Sequence, residues 1–248
     1  MATYKKRKIK NKISSQKKSI ESTQQVFESL DVGASKTELF ISKYQNYLFA
    51  GVVFLIISFG SFYLYDKFIF QPKNLEANKE IFTAQNYFDL ALKSNENQDS
   101  LFMLSLDGTG GKFGFLDIID NYAGTDAANI AFYSAGMAYY NMSKFDLAIQ
   151  YLENFSSSDE ILQSLALSTI GDSFIQLEQF SDGLNSYEVA LSKTSNSFIR
   201  PIILQKAGDI AAELKKNKKA RKYYSEIKES FPKSSQANLI DVKIEKLN

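Results

Sequence analysis

Between Tyr44 and Tyr65 the chain carries no charged residue. A helix over those 22 positions would be about 33 Å long at about 1.5 Å per residue, against a hydrocarbon core of about 30 Å. Leu, Ile, Val and Phe supply eleven of them. Each favours the bilayer centre by about 0.3–0.6 kcal/mol, which outweighs Asn46, Ser58 and Ser61. Tyr44 and Tyr47 at one end, with Tyr63 and Tyr65 at the other, sit where interfacial aromatic belts form. The stretch predicts a single transmembrane helix. It is too long for a signal peptide, starts too far from Met1, and is followed by no small-x-small cleavage pattern.

The two flanks differ in charge. Residues 1–43 hold ten Lys/Arg against four acids, a formal +6, whereas the other 205 residues sum to −5. Excess Lys/Arg beside a span marks the cytoplasmic side, so everything after Asp66 is expected on the far side. Within residues 5–18 there are eight basic residues and no acid, a composition suited to anionic lipid. Tyr4 is the only aromatic residue near it, so no stacking platform for nucleic acid is expected. Residues 19–42 fit a short amphipathic helix around Ile20, Phe27 and Leu30.

Cys and His are absent. Disulfides, thiolate or imidazole metal sites, Cys nucleophiles, His bases and lipidated cysteines go with them. Gly108-Thr-Gly-Gly-Lys112 invites a phosphate-loop reading, but Phe113 stands where a Walker loop needs Ser or Thr. The segment reads as a tight turn, with glycine supplying positive φ. No catalytic, metal or cofactor residue is predicted, and the chain is not expected to be an enzyme.

Beyond the span, Pro72 is expected to close the juxtamembrane segment. Ile81, Ala84, Phe88 and Ala91 then lay one apolar stripe along a helix over 74–93. Residues 94–114 read as a loop around the apolar run 101–106, with a brief extended pair, so that 66–112 is juxtamembrane and 113–248 is a helical domain. In that domain Gly136, Gly171 and Gly208 recur 35 and 37 residues apart. Small residues follow them at Ala148, Gly183 and Ala220, and larger ones at Leu152, Tyr187 and Tyr224. This is the pattern of antiparallel helix pairs, with small residues where two helices cross closely and large ones filling the flanks.

These residues resemble the tetratricopeptide repeat, a helix–turn–helix unit of about 34 residues. The resemblance implies an all-α solenoid with repeats near 129–162, 164–197 and 201–234, Pro232 at a closing position, and a capping helix over 236–247. It also implies a concave face formed by the first helix of each pair. Ile130, Tyr133, Met137, Tyr140 and Asn141 would line it in repeat one, and Leu165, Ser168, Asp172, Ile175 and Gln176 in repeat two. Ile202, Gln205, Asp209, Ala212 and Glu213 would do so in repeat three. The face would grade from apolar to acidic, which disfavours clamping a partner's carboxylate.

Cytoplasmic flank, single span and far-side repeats together resemble the YfgM-like ancillary subunits of the bacterial Sec translocon. The specific parts are residues 115–124 (FLDIIDNYAG), the Ala/Tyr-rich helix after them, and residues 144–152 (KFDLAIQYL). The resemblance implies an inner-membrane protein with periplasmic repeats. It implies a non-catalytic scaffold or chaperone whose partners are the Sec channel, a membrane-anchored prolyl-isomerase-like chaperone and exported chains. The competing reading is an adaptor subunit of another cell-envelope assembly or transport complex.

Overall fold

The computed structural model describes residues 40–247, and the basic tail and the amphipathic segment expected over 19–42 lie almost wholly outside them. Helix α1 (40–65) is exposed along its whole length. Among the described residues one helix is long and apolar enough to cross a membrane, and none of its apolar window is buried. A core helix of a soluble protein would be covered by other elements.

A second unit begins at Lys67, within a π-helical turn, Asp66–Phe70, that leads into α2 (Gln71–Lys93). Pro72 lies in the first turn of α2, where a missing N–H costs nothing, and so does not end a segment as the sequence suggested. Ala77, Ile81, Ala84 and Ala91 are the buried face of α2, and Phe88 packs on Phe102 and Phe115 at ring distances of 5.5 and 5.9 Å.

The loop expected over 94–114 is a correction. Its apolar run is helix α3 (Gln98–Asp107), which buries Phe102, Ser105 and Leu106. The run was too short to show a helical period among its polar neighbours, and contacts with α2 impose the helix. The glycine segment does turn tightly. Gly110 and Gly111 both have positive φ, 58° and 73°, and the Thr109 and Lys112 backbones exchange hydrogen bonds of 3.2 and 2.9 Å across them.

After α4 (Phe115–Asn121), three helix pairs follow: α5 (Asp126–Asn141) with α6 (Phe145–Leu152), α7 (Glu160–Gln176) with α8 (Phe180–Lys193), and α9 (Ile199–Glu213) with α10 (Asn217–Ser230). Polar side chains start the first helices. Thr125 accepts from the Ala128 N–H at 3.2 Å, and Asp159 accepts from Ile161 and Leu162 at 2.8 and 2.9 Å. The turn inside each pair is the same in all three. Ser143, Glu178 and Lys215 take φ of 58°, 60° and 56°, and the next N–H donates to Tyr139, Phe174 or Ala211 at 2.9, 2.8 and 2.8 Å.

Neighbouring pairs are tied along the other rim. Asn129 exchanges two hydrogen bonds with Ser156 at 2.8 and 3.1 Å, and the Glu160 carboxylate accepts from the Ser195 N–H at 3.1 Å. On that rim, Asn74 of α2 makes paired bonds of 3.1 Å with Asp126 at the start of α5. Ala127, Ala131, Ala135 and Ala138 of α5 share one buried cluster with the α2 stripe. The expected single cap helix over 236–247 is instead a 3-10 turn, Ser235–Leu239, followed by α11 (Ile240–Glu245), which buries Ile240.

Candidate partner-binding face

The small residues are where two helices of a pair touch. A Cβ on Gly136 would meet Leu152 Cγ at 2.5 Å and the Ala148 carbonyl at 3.2 Å, and one on Gly171 would meet the Tyr187 ring at 2.6 Å and the Gly183 carbonyl at 3.2 Å. Gly183 leaves room for Ile175, and Gly208 for Tyr224. Ala148 and Ala220 are fully buried. Pro232, after α10, is exposed and lines a cleft of about 570 Å³ together with Phe198, Ile202 and Phe231. Ile202 therefore borders this cleft at the end of the stack.

The residues of repeat one expected to line a partner face are half-buried, apart from exposed Asn141. Ile130 packs against two core clusters. The Tyr133 ring lies 5.1 Å from Phe155, and burial pushes its phenol pKa up. Tyr140 sets its ring 5.8 Å from Phe145, edge on. Burial raises its pKa too, with the Asp172 charge adding to the rise. Met137 is half-buried, and Asn141 donates its amide to the Met137 carbonyl at 2.7 Å. In repeat two Leu165 is exposed, Ile175 is half-buried, and Ser168 is buried.

Asp172 and Asp209 change the electrostatic reading. Asp172 accepts from the Tyr187 hydroxyl at 2.6 Å and pairs with Lys206 at 2.6 Å. Asp209 accepts from the Tyr224 hydroxyl at 2.6 Å and pairs with Lys243 at 2.5 Å. Each ammonium also stands over the tyrosine ring, 6.0 Å from the Tyr187 centroid and 5.8 Å from that of Tyr224. The face is therefore not acidic at these two positions, because each carboxylate is neutralised by a lysine of the following repeat or of the cap. Burial, together with the aspartate charge and its hydrogen bond, holds both phenols well above their ordinary pKa.

The two sets share one spacing. Tyrosine follows aspartate by 15 residues and lysine follows it by 34. Lys243 lies on α11, so the cap stands toward repeat three as α9 stands toward repeat two. Side chains taken one at a time do not expose this lattice. The signal was available as an Asp–Tyr–Lys pattern at the repeat period.

Comparison with family models finds the tetratricopeptide repeat at two places, residues 130–158 and 203–234. These are repeats one and three. The α7–α8 pair between them has the same turn and the same glycine crossing. A search of curated proteins finds no match to the chain. The chain is thus an all-α protein with tetratricopeptide repeats behind a membrane-span candidate. That repeat is a non-catalytic protein-interaction scaffold.

Proposed function

We propose that this chain is a single-pass, non-catalytic inner-membrane subunit whose periplasmic repeats hold protein partners beside the Sec translocation machinery. The observation that carries the reading is the pairing of an uncovered apolar helix with a stack of interaction repeats. Such an arrangement keeps a partner-binding surface close to the membrane. The resemblance of residues 115–124 and 144–152 to the YfgM-like subunits supplies the translocon, the prolyl-isomerase-like chaperone and exported chains as partners. Met137, half-buried, and Leu165, exposed, offer the partner adaptable apolar contact.

Purification in gentle detergent, followed by mass spectrometry, tests the partner. Recovery of the Sec channel supports the reading, and recovery of a different envelope machine without it overturns it. Protease added to intact spheroplasts should degrade the repeats and spare the tail. Protected repeats would reverse the orientation. Leu165→Glu, at an exposed position, should abolish partner recovery with little change in thermal unfolding. Tyr133 is unsuitable for this experiment because its ring is packed on Phe155.

A further inference from the structure

The repeats serve as their own controls for surface charge. At the turn inside repeat one, residues 143–150 carry Lys144 and Asp146, and at the turn inside repeat two, residues 178–185 carry Glu178 and Asp182. The matching residues of repeat three, 215–222, are Lys215, Lys216, Asn217, Lys218, Lys219, Ala220, Arg221 and Lys222. The three turns have the same positive-φ residue and the same backbone bonds, so the fold does not require this charge.

Helix electrostatics oppose it at the start of α10. The first turns of α6 and α8 carry Asp146 and Asp182, as the positive end of a helix favours, whereas the first turn of α10 has no acid and carries Lys218. Lys219 is engaged with Glu188 at 2.7 Å. Lys215, Lys218 and Lys222 are exposed and meet no acidic side chain among the described residues. Lys218 opposes the dipole of α10, and the like charges of Lys215 and Lys222 find no acid to pair with among the described residues.

We infer that the α9–α10 turn is a docking site for an acidic, extended segment of a partner protein, on a surface separate from the face carrying Met137 and Leu165. Nucleic acid fits less well. The nearby aromatic residues, Tyr223 and Tyr224, are buried and bonded to Glu188 and Asp209, leaving no ring for bases to stack on. A lipid surface fits less well too. The apolar face of α10, with Ala220, Tyr223, Tyr224 and Ile227, is buried in the body, so nothing is left to insert. The turn also lies on the rim opposite Asn74, where the chain enters the repeat body. Five of the six basic residues are lysines, mobile point charges that suit carboxylates on a flexible chain.

The test uses the full-length protein in neutral-lipid nanodiscs and a fluorescent, photoreactive oligoglutamate peptide. The peptide should bind in a salt-dependent way and cross-link within residues 199–230. Lys218→Glu with Lys222→Glu should weaken that binding by about tenfold or more. The melting temperature should stay level or rise, because an acid at the start of α10 favours the helix. Leu165→Glu should leave peptide binding unchanged, which separates this site from the partner face. Equal affinity for parent and charge-reversed protein, or cross-links confined to residues 1–43, would overturn the inference. So would single-stranded oligonucleotide or phosphatidylglycerol vesicles binding the turn more tightly than the peptide does.

Discussion

Repeat one and repeats two and three cross their helices in the same way and lock to their neighbours differently. Where repeats two and three have Asp172 and Asp209 just after the crossing glycine, repeat one has Met137. Where they place Tyr187 and Tyr224 over that glycine, repeat one has Leu152. Lys206 stands two residues before Gly208, and the matching residue before Gly171 is Thr169, whose hydroxyl donates to its own helix at Leu165 at 3.0 Å. The crossing geometry follows from small residues and backbone proximity. The joint between repeats is a separate choice, apolar at the first junction and polar at the later ones. A shared repeat fold therefore need not share its joints.

Substitutions at the crossing should have the largest effect, and its size should report which joint surrounds it. Gly171→Val would drive into a Tyr187 ring pinned by Asp172, and a loss of about 3 kcal/mol is expected in denaturant unfolding. Gly136→Val meets Leu152, which has more freedom to move, and about 2 kcal/mol is expected. Equal losses would show that the pinned ring adds nothing. Met137→Asp should come next, at about 2 kcal/mol, because its carboxylate is half-buried with neither hydroxyl nor ammonium to satisfy it. Adding Leu152→Tyr and Thr169→Lys should restore about 1 kcal/mol of that. A triple variant no more stable than Met137→Asp would break the idea that the polar lattice is portable.

Parts of this arrangement were legible before any coordinates. Gly136, Gly171 and Gly208 announced the crossings because steric exclusion acts locally and leaves a periodic mark. The span was legible because a bilayer demands an unbroken apolar run. Helix α3 was hidden because its burial comes from α2, which sequence periodicity does not report. Asp172 and Asp209 stand as bare negative charges in the sequence pattern because their lysines lie 34 residues on, in the following repeat or the cap. Composition had nevertheless included the cancelling charges all along. The charge of the α9–α10 turn stands out only against the matching turns of repeats one and two.

A double-mutant cycle on Asp172 and Lys206 should give a coupling of about 0.5–1 kcal/mol that shrinks in salt, since the lysine side chain is 36% exposed and solvent screens the pair. Asp209 and Lys243 should behave alike, at 41% and 27% exposure. A coupling absent from both would leave the tyrosine hydrogen bonds as the working part of the polar joint.

Alkaline unfolding sharpens the comparison with the smallest signal. Folding raises the pKa of Tyr187 and Tyr224 above the ordinary 10.0, first by burial and then through their aspartates. In repeat one, burial and the neighbouring Tyr151 push Tyr139 up to about 12. A raised phenol holds its proton more tightly in the folded chain. Its contribution is complete below the unfolded value near 10.0 and is lost as pH climbs through the folded value. Stability should therefore hold to about pH 10 and fall above it. Tyr187→Phe with Tyr224→Phe should cost about 1 kcal/mol per lost hydrogen bond at neutral pH and flatten the alkaline fall. Tyr139→Phe should leave most of that fall in place, because the phenols most strongly coupled to acids are those of the later repeats. If Tyr139→Phe flattened the profile and the double variant did not, the pH response would belong to the apolar joint and the contrast between the two would be reversed.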